Sequence, residues 1–239
     1  MAYQNVFKRY ELKFMLTLAQ KDALLAVMEP YMALDAFGRD SIRNIYFDTG
    51  NYRLIRRSIE RPEYKEKLRI RSYRQANAET SVYVELKKKF DHVVYKRRIK
   101  LPLREAMDWI CGLRHCQEQG QISREIDYFL EFYKDLRPAV YLSYDREAYY
   151  SKDGSDFRVT FDDNILCRQE DLSLEEPAWG TPILEPGLVM MEVKCSGGIP
   201  LWMARFLSEN KIFKTSFSKY GTAYQKLIFP KLKEETIHV

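Results

Sequence analysis

Lysine and arginine recur at every second position in several short segments of this 239-residue chain. Lys67, Arg69 and Arg71 do so in KLRIR, Lys87 and Lys89 in VELKKK, and Lys96 and Arg98 in YKRRI. Successive side chains of an extended strand point to opposite faces, so each run carries its cations on one side and aliphatic residues on the other. The same alternation puts Arg9, Lys13, Arg146, Arg158 and Lys194 on polar strand faces, and SFSKY adds Lys219. Against these thirteen cations stand five acids, Glu11, Asp48, Glu85, Asp162 and Glu192; the whole chain carries only +5. The positive excess therefore belongs to residues selected by strand alternation. Like charges directly opposite one another destabilise a sheet, so cations repeated on strand after strand imply an anion that compensates them. Arginine forks and lysine point charges in register suit phosphates repeated along a chain.

Two other readings compete. A single strand such as KLRIR is ordinarily a solvated face, and Glu11-x-Lys13, Glu85-x-Lys87 or Glu192-x-Lys194 can be simple ion pairs. A nucleic-acid groove interleaves aromatics with its cations to stack bases. Here Tyr10, Phe14, Tyr95 and Phe161 fall mostly on the opposite faces, so no nucleic-acid partner is expected.

The elements that carry these residues are mainly strands. They are expected at Arg9–Phe14, Ser41–Asp48, Lys65–Arg74, Ser81–Lys89, Val93–Leu101, Ala139–Tyr149, Phe157–Asp162 and Val189–Cys195. Asp91-His92 should turn a hairpin between the fourth and fifth of these. Thr17 and Gln20 form a capping box for a helix to about Tyr31. Pro102 opens a helix along Leu103, Ala106, Ile110 and Leu113, Ser123 caps another, and Pro200–Glu209 is amphipathic. Strand follows strand with few crossover helices, which predicts an α+β fold with a mostly antiparallel sheet. About eight strands can close into a barrel, and helices would pack outside it. No Pro/Gly/Ser-rich linker interrupts the chain, so residues 1–239 are read as one domain.

Composition excludes other classes. No apolar run approaches the ~18 residues of a membrane span. The N-terminus lacks the apolar core of a secretion signal, which suits the cytoplasm. Cys111, Cys116, Cys167 and Cys195 form neither a zinc motif nor a disulfide framework, and no glycine pattern marks a nucleotide loop. His92, His115 and His238 receive no role, and Trp109 and Trp202 are read as packing residues.

The ordered set RYELKF, IYFDT, KLRIRSY, VELKKK, YKRRI, YDREAY, FRVTFD, MEVK and FSKY resembles the VTC (vacuolar transporter chaperone) polyphosphate polymerase domain. That domain lies in the CYTH-like triphosphate tunnel metalloenzyme superfamily. The resemblance runs from about Phe7 to Tyr224 and implies an antiparallel eight-stranded tunnel with a basic lumen. It implies ATP and polyphosphate as partners, a divalent cation (Mn2+ preferably, or Mg2+) as cofactor, and ADP as product. By position, Lys13, Arg69, Arg71, Lys87, Lys96, Arg98, Arg146 and Lys219 match phosphate-binding residues, and Glu192 the metal-binding glutamate. Arg69, Arg71, Lys96, Arg98 and Lys219 are the candidate catalytic set. Tyr46, Lys67, Arg158 and Lys194 complete the candidate substrate-binding residues alongside Lys13, Lys87 and Arg146. Hydrolytic members begin with ExExK, where this chain has Arg9-Tyr10-Glu11-Leu12-Lys13. That departure favours the polymerase branch over a triphosphatase, and leaves open whether Glu11 serves a metal or pairs with a cation. A non-catalytic polyphosphate-binding module is the third reading. Any membrane coupling is expected to go through a separate membrane-protein partner.

Overall fold

The computed structural model describes residues 10–91 and 93–237, so Arg9, His92 and His238 lie outside the described residues. The strands are β1 (Tyr10–Thr17), β2 (Met32–Asp48), β3 (Tyr64–Tyr73), β4 (Ser81–Phe90), β5 (Val93–Pro102), β6 (Arg137–Ser151), β7 (Arg158–Arg168), β8 (Thr181–Pro182) and β9 (Leu188–Cys195). The helices are α1 (Leu18–Met28), α2 (Arg53–Ile59), α3 (Leu103–Ile110), α4 (Gln121–Phe132), α5 (Leu201–Glu209), α6 (Lys219–Ala223) and α7 (Phe229–Ile237). A π-helical turn, Tyr224–Ile228, joins α6 to α7. The fold is α+β, as expected.

Strand order is β1-β9-β7-β6-β2-β3-β4-β5, with β8 beside β7. β1 with β9, β9 with β7, and β2 through β5 pair antiparallel. This order is an open path whose ends are β1 and β5; among the described residues no pairing joins them, so the expected barrel closure is not part of it. Among the described residues, no helix is long and apolar enough to cross a membrane.

The chain forms two compact units. Of the described residues, one comprises 10–41, Tyr144–Ile165 and Leu184–Phe217, the other 42–91, 93–143, Leu166–Ile183 and 218–237. In the first, Phe14, Leu16, Val159, Phe161, Val189, Met191 and Val193 put alternate side chains under α1 and α5, which supply Leu24, Met28, Met203 and Leu207. Burying such a side chain contributes roughly 1.5–3 kcal/mol. Helix α1 starts as the sequence predicts: the Thr17 hydroxyl accepts from the Gln20 N–H (3.2 Å), and the Gln20 side-chain oxygen accepts from the Thr17 N–H (2.9 Å). It ends at Met28, short of Tyr31.

In the second unit, Ile45, Phe47, Leu68, Ile70, Val84, Leu86, Ile99 and Leu101 pack under α3 and α4, with Ala106, Trp109, Ile126 and Phe129. Trp109 is a packing residue, as expected, and its indole N–H donates to Asp127 Oδ1 (2.7 Å). Leu113 does not continue α3. Gly112 takes φ +75°, its N–H reaches the Trp109 carbonyl, and the Leu113 N–H reaches Asp108, a Schellman stop that leaves Leu113 73% exposed. Ser123 lies inside α4 rather than before it: its hydroxyl accepts from the N–H of Gly120, the capping residue (2.9 Å).

β2 begins nine residues earlier than the sequence suggested, because Asp35, Gly38 and Asp40 are poor strand formers that hide it. Arg168, 4% exposed, pins the segment after β7. Its guanidinium donates to the carbonyls of Glu170, Asp171, Ser173 and Trp179 and lies 3.6 Å from the Tyr141 ring centroid. Gly180 (φ +147°) completes this segment; a Cβ there would sit 2.6 Å from the Cys167 carbonyl oxygen.

Candidate functional sites in the two units

In the second unit, register builds the site. Tyr46 on β2 faces Arg69 on β3, which faces Glu85 on β4, which faces Arg98 on β5. One row along, Lys67 faces Lys87 and Lys87 faces Lys96; on the other side, Asn44 faces Arg71. Alternation gives these residues one face of the sheet and the aliphatic core the other.

Glu85 is the hub of this face. Its side chain is 1% exposed. Oε2 accepts from Arg69 Nε (2.9 Å) and Nη2 (2.7 Å), Oε1 lies 2.5 Å from Lys96 Nζ, and Arg71 Nε is 3.7 Å away. Burial by itself would raise the carboxyl's pKa, but Arg69, Arg71 and Lys96 outweigh it and hold Glu85 well below the usual carboxylate range. Burial lowers Lys96 to about 8; Glu85 pulls it back up while Arg71 and Arg69 add to the depression.

Neighbouring groups fix the arginines. Arg69 Nη1 donates to the Tyr46 hydroxyl (2.7 Å), and Arg71 Nε donates to Asn44 Oδ1 (3.0 Å). Asn44 Nδ2 in turn donates to the Leu142 carbonyl (3.1 Å). Arg98 sits over the Tyr83 ring, 4.8 Å from its centroid, and is exposed. Lys67 Nζ lies 3.4 Å from the hydroxyl of Ser218, the N-cap of α6, and Lys219 is the first residue of that helix. Tyr220 anchors α6 by donating from its hydroxyl to buried Asp48 Oδ2 (2.9 Å), while Asp48 also accepts from the N–H groups of Thr49, Leu54 and Ile55 at the start of α2.

The first unit holds a second set. Lys13 on β1 faces Glu192 on β9, which faces Thr160 on β7; Glu11 faces Lys194, which faces Arg158. Glu192 Oε1 is 2.7 Å from Lys194 Nζ, and Lys13 Nζ donates to the Phe217 carbonyl (2.8 Å). Burial opposes ionisation of Glu192, yet Lys194, Lys13 and Arg146 hold its carboxyl well below the usual range. Arg146 grips buried Asp162 with both a Nε–Oδ1 (2.6 Å) and a Nη2–Oδ2 (2.7 Å) bond. Arg158 is exposed.

The structure thus gathers Arg69, Arg71, Lys96 and Tyr46 around Glu85, with Lys67 and Lys87 in the adjoining row. In the other unit it gathers Lys13, Lys194 and Arg146 around Glu192. Glu11 lies one row from Glu192, opposite Lys194. Among the described residues, no group of three His, Cys, Asp or Glu side chains could hold a metal unaided. Glu192 does offer an ionised oxygen donor, and the Thr160 hydroxyl opposite it is buried with no hydrogen-bond partner among the described residues. That donor set fits a hard cation whose remaining ligands are phosphate oxygens.

Sequence reasoning missed two organisers. Glu85 reads as a partner of Lys87 two residues on, whereas it joins cations from β3 and β5. Asp162 reads as one more acid on a face, whereas it is the bidentate seat of Arg146. The legible signal for Glu85 was an acid alone on its face among three cationic strands.

The VTC domain family profile matches residues 8–228. No curated protein matches the chain. Among solved structures, the chain is similar to a candidate adenylate cyclase from Bacillus halodurans: 13% identity, TM-score 0.53, covering 90% of this chain and 94% of that one. It is also similar to a candidate adenylyl cyclase from Hippeastrum described as having a dominant triphosphatase activity: 16% identity, TM-score 0.52, covering 90% and 94%. At these identities the likeness is one of fold.

Proposed function

This chain belongs to the VTC domain family, within the CYTH-like triphosphate tunnel fold, and from that premise we propose that it is a metal-dependent polyphosphate polymerase. A terminal oxygen of a polyphosphate chain attacks the γ-phosphorus of ATP, the bond from that phosphorus to the β-bridging oxygen breaks, and ADP leaves. The chain is longer by one phosphate.

The observation that carries this reading is the cationic face around Glu85. Lys67, Lys87 and Lys96 stand side by side across three strands, which concentrates positive charge along one line of the face. Glu85 offsets one charge and fixes Arg69, Arg71 and Lys96 in place. A linear phosphate chain supplies negative charge at each row. Phosphoryl transfer depends mainly on positioning and on charge stabilisation, and fixed guanidinium groups provide both without reorganising. Arg69 and Arg71, held by Tyr46 and Asn44, orient phosphate oxygens; Lys96, Arg98, Lys67, Lys87 and Lys219 add charge along the chain. No general base is required, because the attacking phosphate end is already an anion.

In the other unit Glu192, with Glu11 and the Thr160 hydroxyl as further oxygen donors, would hold Mn2+ or Mg2+. Such an ion supplies charge neutralisation to phosphate oxygens. Lys13, Arg146, Arg158 and Lys194 add phosphate-binding charge there. A separate membrane-protein partner would provide any link to a membrane.

A triphosphatase is the second reading, favoured by the activity described for the Hippeastrum protein of the same fold. Hydrolysis needs a carboxylate free to orient water. Glu85 and Asp162 instead have both oxygens taken up by cations, which favours transfer to phosphate over transfer to water.

Incubation with ATP and Mn2+, with products resolved by gel and phosphorus NMR, tests the proposal. ADP with lengthening polyphosphate supports it. Free phosphate without polymer selects the triphosphatase, and tight polyphosphate binding without turnover selects a binding module. Glu192→Gln should abolish turnover while tripolyphosphate still binds; retained turnover would remove Glu192 as the metal holder.

A further inference from the structure

A shallow, solvent-open hollow in the second unit is lined by Arg53, Arg57, Tyr64, Lys65, Glu66 and Tyr133, with Leu54. Leu54 and Tyr133 belong to the core under α3 and α4, and Glu66 shares that side of β3, whereas Lys65 alternates onto the side of Lys67 and faces Lys89. Arg53 and Arg57 are one helical turn apart on α2, on the same side, and both are exposed.

Three cations therefore meet one acid, and that acid is already engaged. Glu66 accepts from the Tyr64 hydroxyl on Oε2 (2.6 Å) and from the Tyr133 hydroxyl on Oε1 (2.8 Å). Among the described residues neither Arg53, Arg57 nor Lys65 forms an ion pair with a carboxylate. Arg53 lies over the Tyr133 and Phe132 rings, 5.4 and 5.9 Å from their centroids, and Lys65 Nζ donates to the Ser58 carbonyl (3.2 Å). Lys65 has its ammonium disfavoured by burial and then by Lys89, Arg61 and Lys87, all cations. A pocket with two guanidinium forks, one ammonium and an aromatic wall, but no free carboxylate, is complementary to a dianion with three acceptor oxygens.

We propose that this hollow is a second phosphate site, built on the α2 arginines beyond the end of the Glu85 rows, which takes a single phosphoryl group as inorganic phosphate or a phosphate monoester. Arg53 and Arg57 supply its bidentate contacts, Lys65 its point charge, and the Tyr133 ring a wall for whatever the ester carries. Arg53 and Arg57, on α2, take no part in the chemistry proposed for the Glu85 face.

The test follows the side-chain Nε–Hε NMR signals of Arg53 and Arg57 while the full chain is titrated separately with inorganic phosphate and with phenyl phosphate. Both signals should move saturably with at least one probe. Tighter inorganic phosphate identifies a free anion, and tighter phenyl phosphate a phosphorylated small molecule. In parallel, Arg53→Gln/Arg57→Gln should weaken this binding about tenfold or more and leave tripolyphosphate affinity unchanged. Arg57→Gln alone, which leaves the Arg53 ring contacts in place, should show the same loss in smaller measure. Arginine signals that neither probe moves, or a phosphate isotherm identical in wild type and both variants, would overturn the site.

Discussion

Glu85 illustrates how one buried acid can organise a cationic surface without neutralising it. Removing one partner of a buried ionic cluster leaves charge uncompensated, at a cost of about 3–5 kcal/mol. Glu85→Gln should therefore destabilise the free protein by about that much in urea unfolding, and tripolyphosphate should stabilise the variant more than it stabilises the wild type. Unchanged stability would mean that Arg69, Arg71 and Lys96 do not depend on it. Lys96 gives a pH signature. Its pKa falls from the ordinary 10.5 to about 8 in the folded protein, so the fold prefers the neutral amine. Its contribution is an unfavourable one below about pH 8, relieved as pH rises from about 8 toward 10.5, where the unfolded chain still binds the proton. Phosphate binding runs the other way: tripolyphosphate affinity should fall as Lys96 discharges above about pH 8. Lys96→Ala should remove that inflection, and calorimetric titration across pH checks it.

At the scale of elements, alternation carried most of the information. The strands of KLRIR, VELKKK and YKRRI, and the capping box of α1, were legible because each depends on residues within a few positions of one another. Four features were not. The early part of β2 is poor in strand formers. Helix α2 depends on Asp48, which accepts from the Leu54 and Ile55 N–H groups, and nothing in RLIRRSI reveals that contact. Helix α6 depends on Tyr220 reaching the same Asp48 across 172 positions. The segment after β7 hangs on Arg168, whose partners are backbone carbonyls that any sequence would offer. Gly180→Ala should cost about 1–3 kcal/mol through strain at its positive φ and the close approach to the Cys167 carbonyl, and urea unfolding reads it. Wild-type stability in that variant would show that the 168–180 segment relaxes freely.

For the whole molecule, composition bounded the class and the ordered motif set identified the family, which the profile over residues 8–228 bears out. The candidate residues were legible as cations on alternate positions. Their partners were not, because Glu85, Asn44 and Asp162 act across strands brought together only by the fold. Barrel closure was an expectation from strand number alone; among the described residues the pairing runs from β1 to β5. Repulsion within the cationic faces should make the free protein less stable than its complex, so tripolyphosphate should raise the melting temperature with concentration. A flat response at millimolar ligand would contradict that.

The central claim is that the rows around Glu85 hold a chain of phosphates rather than a single one. Its most direct measurement is calorimetric affinity for linear phosphates of increasing length, from orthophosphate through tripolyphosphate to long polyphosphate, in wild type and in Arg69→Ala. Affinity that climbs with length in the wild type, weakens with added salt, and loses most of that climb in Arg69→Ala is the result predicted. Affinity independent of length, or a length dependence that Arg69→Ala leaves intact, would contradict it.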